Sequence, residues 1–368
     1  SVACTGGGTF TTTGNVVTGN TGCAGEAVIP NSVTSIGNRA FADARALQTV
    51  SFAAGSSLTS IGNSAFDGAR SLTTITIPNS VNTIGSYAFN NATSLTSITI
   101  PNSVATIADF AFNQATSLTS VAFAGNAPTI GTSAFRSVGA NAVANIGFAA
   151  EGFGTATTWE GLTIVRAVDC STSGTFTVTE NVVTGNTGCA GEAVIPNSVT
   201  SIGNRAFADA RALQTVSFAA GSSLTSIGNS AFDGARSLTT ITIPNSVNTI
   251  GSYAFNNATS LTSITIPNSV ATIADFAFNQ ATSLTSVAFA GNAPTIGTSA
   301  FRSVGANAVA NIGFAAEGFG TATTWEGLTI VRAADPTLPT VTPVTGETNA
   351  GATLVIKGTN MDRITEVK

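Results

Sequence analysis

Four cysteines are the most reactive side chains of this 368-residue chain, which contains no histidine. They form two pairs with the same separation, Cys4 with Cys23 and Cys170 with Cys189. A structural zinc site takes four ligands, so two thiolates without a histidine suit zinc poorly and favour two disulfides over a metal. Disulfides persist in oxidising surroundings. We therefore expect a secreted or cell-surface, extracellular protein without a metal or cofactor.

Carboxylates are the other groups that could do chemistry. In the repeated part of the first half these are Glu26, Asp43, Asp67, Asp109, Glu151 and Glu160. A pair of catalytic carboxylates needs a set separation, and these residues share no common spacing. The lack of histidine excludes Ser-His-Asp and Cys-His arrangements, and no glycine-rich loop with a lysine offers a phosphate site. The sequence predicts no enzyme.

The composition limits the partners. Only 8% of the residues are charged and the formal net charge is −5, so no basic field attracts nucleic acid. No apolar stretch approaches the roughly 18 residues of a membrane helix, so we expect no membrane insertion. The chain begins at Ser1 without a methionine or signal peptide, which predicts a mature or excised chain.

The sequence repeats at two levels. Residues 15–166 recur without substitution as residues 181–332, an offset of 166. Within each copy a shorter unit recurs at intervals of 25, 23, 23 and 23 residues, and the two extra residues fall within 53–57. In the first copy this unit is marked by Phe41, Phe66, Phe89, Phe112 and Phe135. A short fixed period indicates a solenoid, in which stacked coils bury what one coil cannot.

Each unit is predicted to form one coil. Apolar pairs with period two, such as Ile98 and Ile100, indicate a short strand with one buried face. The motif I-P-N-S then ends the strand, because proline has no N–H to donate. A second extended piece at residues 81–84 and a helical or 3₁₀ turn at residues 87–91 complete the coil. The predicted fold is a repeat solenoid, mostly β with short helical turns.

These repeats resemble a known family. The stretch L-T-S-I-T-I-P-N-S-V-A-T-I-A-D-F-A-F-N-Q-A at residues 95–115 is similar to the BspA-like, bacterial surface-antigen type of leucine-rich repeat. The resemblance covers residues 26–137 and 192–303 and implies coils of about 23 residues on a surface adhesin or binding protein. Many members carry a cysteine three residues after the phenylalanine. This chain instead has alanine there, which excludes a thiol-based role at that position.

The ends of each copy are predicted to be caps over the open layers of the solenoid. Residues 4–23 have the composition of a hairpin. At the other end, residues 146–165 contain Phe148, Phe153 and Trp159. These aromatic side chains either seal the last coil or bind sugars. The expected domains are thus two capped leucine-rich repeat blocks, at residues 1–166 and 167–332.

The last segment has a different pattern. Residues 336–346 and 351–361 resemble the opening strands of an immunoglobulin-like IPT/TIG domain. Because this resemblance covers only about 35 residues, we expect an incomplete β-sandwich over residues 333–368. Either the domain is truncated or its missing strands come from a neighbouring molecule that adds strands at the open edge.

Two surface stripes could recognise a partner. The first consists of hydroxyl side chains on the outward side of the main strands, which form either a binding face or a solvated, β-favouring face. The second carries Arg45 and Arg70 near Asp43 and Asp67, where a surface pair between Asp67 and Arg70 is predicted. The candidate binding-face residues are Thr49, Ser51, Thr74, Thr76, Ser97, Thr99, Ser120, Thr215, Thr240, Thr242, Ser263 and Thr265.

The sequence leaves several functions open. The first is a non-catalytic adhesin or binding module whose strand face contacts a host, cell-surface or extracellular macromolecule. The alternative is a structural subunit of a filament or surface layer, whose partner is another copy of itself. A third reading, ice binding by the threonine ladder, is weaker because serine and alanine interrupt the array.

Overall fold

A computed structural model describes residues 1–154 and 156–336 of the chain. The predicted solenoid is confirmed, because short strands recur in each repeat and stack in parallel. The predicted IPT/TIG-like strands lie outside the described residues. Two compact units are distinguished: the first comprises Ser1–Val168 and Thr177–Asn181, and the second comprises Asp169–Phe176 and the chain from Val182 onward.

The first sixteen strands belong to the first copy of the long repeat and its end. In chain order they are β1 (Val2–Ala3), β2 (Thr9–Thr13), β3 (Val16–Thr21), β4 (Gly25–Ile29), β5 (Ser35–Ile36), β6 (Leu47–Phe52), β7 (Ser60–Ile61), β8 (Thr74–Ile75), β9 (Thr83–Ile84), β10 (Ser97–Ile100), β11 (Thr106–Ile107), β12 (Ser120–Phe123), β13 (Thr129–Ile130), β14 (Val143–Gly147), β15 (Thr158–Trp159) and β16 (Leu162–Asp169).

The remaining strands of the described chain repeat this order. They are β17 (Ser173–Thr179), β18 (Val182–Ile195), β19 (Ser201–Ile202), β20 (Leu213–Phe218), β21 (Ser226–Ile227), β22 (Thr240–Ile241), β23 (Thr249–Ile250), β24 (Ser263–Ile266), β25 (Thr272–Ile273), β26 (Ser286–Phe289), β27 (Thr295–Ile296), β28 (Val309–Ile312), β29 (Thr324–Trp325) and β30 (Leu328–Arg332).

A column of phenylalanine rings forms the centre of the first unit. Phe41, Phe66, Phe89 and Phe112 are fully buried, and Phe135 is 4% exposed. Neighbouring rings lie 5.1–5.3 Å apart, with nearly parallel planes. Buried isoleucines five residues earlier in the sequence add a second apolar column. Stacking thus gives every ring two neighbours, which an isolated coil lacks.

Two sets of parallel strands stack alongside this core. The main strands form β4-β6-β8 and β10-β12-β14-β16, and their outward residues define what we call the strand face. The short strands β5, β7, β9, β11 and β13 pair two residues at a time, as in Ser60 with Thr83. Proline closes the main strands as predicted. Val104 N–H, for example, donates to the Pro101 carbonyl at 3.0 Å.

The third side of each coil is a series of turns, which corrects the prediction of a helical turn. Ala88 N–H donates to Gly85 O of its own coil at 3.2 Å, whereas Phe89 N–H donates to Ala111 O of the next coil at 2.7 Å. Left-handed residues such as Tyr87, with φ of 57°, break the helical path. Alternate N–H groups therefore point along the stack. We call this side the turn face; it comprises residues 38–45, 63–70, 86–93, 109–116 and 132–139.

Two aromatic residues occupy left-handed positions on the turn face. Tyr87 has φ of 57° and Phe110 has φ of 55°, while the equivalent residues of the other coils are Arg39, Ser64 and Ser133. A left-handed conformation costs a residue with a side chain about 1–2 kcal/mol. Stacking of one pair of rings returns about 0.5–1.5 kcal/mol. Stacking of these two rings therefore does not offset the strain at both positions.

Polar side chains form a further ladder at the turn face. Asn90 is buried and donates through Nδ2 to Asp67 Oδ1 at 2.7 Å, and its Oδ1 accepts from Asn113 Nδ2 at 2.8 Å. Asp67 is thus used inside this ladder, and the predicted Asp67–Arg70 pair was wrong. The ion pair in the described part of this unit joins Arg45 Nη2 to Asp43 Oδ1 at 3.3 Å.

The start of the solenoid is closed by a disulfide-linked hairpin. Strands β2 and β3 pair antiparallel, and Cys4 and Cys23 form a disulfide with a Cα–Cα distance of 5.5 Å. The fully buried Phe10 places its ring 5.6 Å from Phe41, at the first end of the phenylalanine column. Cys170 and Cys189 form the second disulfide with the same Cα–Cα distance. Both predicted disulfides are therefore confirmed.

The other end of the first unit is sealed by aromatic side chains. Trp159 meets Phe123 edge to face at 5.3 Å and lies 6.4 Å from Phe135, the last ring of the column. Phe153 is 2% exposed and packs 4.8 Å from Trp159. Phe148 does not contribute to this seal, because its side chain is 39% exposed. The cap prediction holds for two of its three aromatic residues.

Candidate functional site

The predicted binding-face residues lie in two columns on the strand face. Thr49 pairs with Thr74 and Ser97 pairs with Ser120, which forms the first column. Ser51, Thr76 and Thr99 form the second column at alternate strand positions. Four of these residues are exposed, whereas Thr49, Ser51 and Ser120, in the first and last of these strands, are half-buried. The exposed residues are Thr74, Thr76, Ser97 and Thr99, with Thr240, Thr242, Ser263 and Thr265 as their copies in the second unit.

The strand face is not the continuous flat ladder that the repeat pattern suggests. Strand β6 has six residues, but β8 has only Thr74 and Ile75, which pair with Thr49 and Val50. The last two residues of β6, Ser51 and Phe52, therefore have no partner in β8. The pairing of main strands also stops between β8 and β10, so the described face consists of two separate sheets.

A groove opens where β6 extends beyond β8. The five-residue segment 53–57, which contains the two extra residues, folds back towards the preceding coil. Ala53 N–H donates to Ile29 O at 3.0 Å and Ser57 N–H donates to Asn31 O at 3.1 Å. Because the next main strand, β8, is only two residues long, an open groove of about 740 Å³ remains beside this segment. It is lined by Thr49, Ser51, Phe52, Gly55, Ser56, Thr74, Thr76, Pro78, Asn79 and Ser80, among others.

The groove combines hydroxyl groups with a small apolar floor. Phe52 and Pro78 are half-buried, and Thr74 and Thr76 are exposed beside them. Ser80 Oγ donates to the Leu58 carbonyl at 2.6 Å, which fixes the far wall. No charged side chain lines this groove. Such a surface suits an uncharged partner that forms hydrogen bonds and also carries apolar groups.

One charged residue beside the groove was missed by the sequence analysis as part of this face. Glu26 in β4 lies opposite Thr49, and its Oε1 accepts a hydrogen bond from Ser51 Oγ at 2.6 Å. Val28 in the same strand is 44% exposed. The first strand of the face therefore carries a carboxylate and an apolar side chain in place of hydroxyls. The sequence could have shown this, because Glu26 and Val28 occupy alternate positions just before Pro30, as the outward hydroxyl residues of later strands do before their prolines.

The opposite edge of the strand face also departs from the hydroxyl pattern. In β14 the outward residues are Val143 and Asn145, and Asn145 Nδ2 donates to Ser120 Oγ at 2.9 Å. Ser120 is half-buried and already engaged by this bond. Among the predicted residues of the first unit, the more accessible ones are thus Thr74, Thr76, Ser97 and Thr99, of which Thr74 and Thr76 line the groove.

The second unit contains a groove at the same place in its sequence. It measures about 640 Å³ and is lined by Ser217, Phe218, Thr242, Pro244 and Ser246, among others. Ser217 Oγ donates to Glu192 Oε1 at 2.5 Å, as Ser51 does to Glu26. Thr215 pairs with Thr240 beside it. Each unit therefore presents one such groove.

Among residues 1–154 and 156–336, no three histidine, cysteine, aspartate or glutamate side chains group as metal ligands would. Nor does this part of the chain include a helix with the length and apolar character that a membrane crossing needs.

The coil geometry defines the class of protein. Parallel main strands, prolines that end them and a column of buried rings repeated every 23 residues are the features of a leucine-rich repeat solenoid. A family model described as the BspA type leucine rich repeat region matches residues 19–140 and 185–306 in six copies. The match spans more than half of the chain, so the chain belongs to this family.

Solved structures of bacterial leucine-rich repeat proteins are similar to the chain. A leucine-rich cell surface protein of Faecalibacterium prausnitzii is 26% identical; the match covers 72% of each chain, with a TM-score of 0.31. The pneumococcal vaccine antigen PcpA is 21% identical over 78% of this chain and 67% of its own, with a TM-score of 0.35. A Bacteroides ovatus leucine-rich repeat protein is 21% identical over 83% and 92%, with a TM-score of 0.31. No curated protein sequence matches.

Proposed function

We propose that this protein is a non-catalytic extracellular adhesin or binding module that holds an extracellular macromolecule on its strand face. The groove beside residues 53–57 is the contact site, and the blocks at residues 1–166 and 167–332 each act as one module. The observation that carries this proposal is the recess itself. A repeat pattern without the two extra residues would leave a flat face, whereas here hydroxyls surround an accessible apolar floor.

The chemistry of the groove selects the kind of partner. Its lining offers hydroxyl groups from Thr74 and Thr76 and apolar surface from Phe52 and Pro78, without a charge. The partner is therefore an extended, uncharged segment of a host or other extracellular macromolecule. Two disulfides are compatible with an extracellular location. The surface proteins with similar structures support the same location.

Lysine substitutions test the groove. The variant Thr74→Lys, Thr76→Lys, Thr240→Lys, Thr242→Lys is expected to bind at least 100-fold more weakly to extracellular matrix deposited by cultured epithelial cells. The reason is that four ammonium groups would lie at grooves whose linings now carry no charged side chain, and an unpaired charge is costly to desolvate against a partner. Binding of the fluorescently labelled protein to the matrix measures the effect.

A matched variant separates charge from position. Gln114→Lys, Thr116→Lys, Gln280→Lys, Thr282→Lys adds the same four charges at exposed positions of the turn face. This control is expected to bind as the unaltered chain does, and circular dichroism should show that both variants remain folded. Equal binding by the two lysine variants contradicts the proposed site.

A second candidate function, self-association into a filament or surface layer, is favoured by a specific observation. In the coil before the last of the second unit, Phe276, Phe278 and Gln280 donate their N–H groups to the next coil. In the last coil the equivalent N–H groups, on Ser299, Phe301 and Ser303, have no acceptor within the described residues. They border an open cavity of about 490 Å³. Carbonyl groups of another copy could pair with them.

Electron microscopy and sedimentation of the purified chain distinguish the two functions. Ordered fibres at micromolar concentration support the structural role, because a head-to-tail contact that does not close produces a filament. A monomer that keeps its full matrix binding supports the adhesin. A monomer that fails to bind matrix argues against both.

A further inference from the structure

Two stacked rings, one exposed and one half-buried, lie on the turn face, whereas the groove lies on the strand face. The rings of Tyr87 and Phe110 lie 5.1 Å apart with an angle of 15° between their planes. Tyr87 remains 40% exposed, although large aromatic side chains gain most from burial. Both residues also adopt the left-handed conformation. The equivalent residues Ser64 and Ser133 adopt the same backbone conformation, so this turn does not require an aromatic side chain.

The residues at the same position in adjacent coils leave a slot beside this pair. Ser64 precedes Tyr87 by one coil and Arg39 by two, and both share its left-handed backbone. Because serine is small, the ring face of Tyr87 that does not contact Phe110 is not covered by another ring. Two coil steps separate Tyr87 from Arg39, about 10 Å at the usual strand spacing. The slot therefore has Tyr87 as one wall, Ser64 as the floor and Arg39 as the far wall.

Polar groups around the slot are available to a ligand. Arg39 is exposed and its guanidinium has no ion pair or hydrogen bond within the part of the chain described. Asn38 and Asn63, which precede Arg39 and Ser64 in the sequence, are also exposed. Asn38 Oδ1 accepts from Asn63 N–H at 2.8 Å, and Asn63 Oδ1 accepts from Ser86 N–H at 2.9 Å. Each side-chain amide is thus held by the backbone of the next coil. Their amide nitrogens keep free donors in the described structure.

We propose that this slot binds a pyranose ring of an oligosaccharide. A pyranose presents an apolar C–H face that can pack on the Tyr87 ring and a rim of oxygen atoms that accept from Arg39, Asn38 and Asn63. Two coil steps leave more room than a flat aromatic ligand fills. The bound sugar continues the ring column by one step, in the space that Ser64 leaves open.

The second unit repeats this arrangement. The rings of Tyr253 and Phe276 lie 5.0 Å apart at 15°, and Tyr253 is 40% exposed. Ser230 and Arg205 occupy the positions of Ser64 and Arg39, with left-handed φ of 52° and 59°. The chain thus carries two sugar slots, and titration should give two sites per chain.

The chain itself supplies the test substitution. Serine stands at the Tyr87 position in two coils of the first unit, Ser64 and Ser133, with the same backbone conformation. Tyr87→Ser with Tyr253→Ser therefore removes the ring wall while keeping a residue that this turn accepts. Isothermal titration calorimetry with three probes, cellohexaose, mannohexaose and hexagalacturonate, measures binding to the full chain and to the variant.

We expect at least one of these probes to bind the unaltered chain and the serine variant to bind it at least 10-fold more weakly, while circular dichroism shows that the variant remains folded at the temperature of the titration. Arg39→Gln with Arg205→Gln should weaken binding at least 3-fold. Binding of none of the probes, or equal binding by the serine variant, overturns the proposal. The groove variant with lysines at Thr74 and Thr76 and their copies should keep its affinity for the sugar. Failure of the groove and failure of the slot are therefore distinguishable.

Discussion

Replacing Phe89 by alanine is expected to lower the free energy of unfolding by about 3–5 kcal/mol, the usual cost of truncating a buried phenylalanine. Phe89 is fully buried in the middle of the column, with the rings of Phe66 at 5.2 Å and Phe112 at 5.1 Å. Truncation leaves a cavity and removes contacts on both sides of the coil. In a solenoid these contacts between neighbouring coils are the source of stability. Unfolding in guanidinium chloride, followed by circular dichroism, measures the loss.

The chain offers two matched controls for this substitution. Phe148→Ala makes the same chemical change at a residue that is 39% exposed, and surface changes of this kind stay within about 0.5 kcal/mol. Phe255→Ala repeats the change in the second unit, where the neighbouring rings lie at 5.2 Å and 5.1 Å. It should cost as much as Phe89→Ala. Similar losses for Phe89→Ala and Phe148→Ala would show that the column does not stabilise the fold.

Removing the first disulfide is expected to cost about 3 kcal/mol, because the bond closes a loop in the unfolded chain. Cys4 and Cys23 are 19 residues apart and hold the hairpin of β2 and β3, whose buried Phe10 covers the first ring of the column. The double substitution Cys4→Ser, Cys23→Ser should therefore lower the denaturant midpoint. Cys170→Ser with Cys189→Ser is the matched variant and should act in the same direction.

Reduction provides an independent measurement of the same effect. Mass spectrometry after alkylation should find no modified cysteine in the oxidised chain and four in the chain reduced under denaturing conditions. The reduced chain should unfold at a lower denaturant concentration than the oxidised one. An identical midpoint with and without reductant would contradict a stabilising role for these bonds.

The repeat pattern was sufficient to predict the solenoid because the apolar side chains of one coil can be buried only against the neighbouring coils. The spacing of Phe66, Phe89 and Phe112 fixes both the coil length and the column, and all three are fully buried. The spacing of Cys4 and Cys23 likewise predicted the closed hairpin. These features depend on periodicity, which is visible in one sequence.

The conformation of the turn face could not be predicted from the sequence, because several of its residues adopt backbone angles that their residue types disfavour. Residues 87–91 have the length of one helical turn, and no rule of propensity places Tyr87 or Phe110 in the left-handed region. Their conformation follows from hydrogen bonds to the next coil, such as Tyr87 N–H to Asp109 O at 3.0 Å. Contacts between coils outweigh local preference here, and only the stacked structure shows them.

The groove was predicted in part. Thr49, Ser51, Thr74 and Thr76 were identified as outward residues, and the insertion within residues 53–57 was visible as an irregular interval. Its consequence was not, because the direction in which an inserted loop folds depends on which coil it contacts. Ala53 and Ser57 donate to the preceding coil, Ser56 O accepts from Ser80 Oγ of the next coil, and the recess lies beside these contacts.

The two caps of each solenoid differ in a way that matters under tension. One end is closed by a covalent bond between Cys4 and Cys23, and the other by packing of Trp159 and Phe153 and by the strand pairing of β14, β15 and β16. We expect a pulling force to detach coils from the aromatic end first, since no disulfide closes that layer among the described residues. A released coil of 23 residues lengthens from one strand spacing of about 4.8 Å to about 80 Å of extended chain. A molecule of this design that is pulled from its two ends can thus lengthen by unfolding one coil at a time. Its disulfide-closed end stays folded meanwhile.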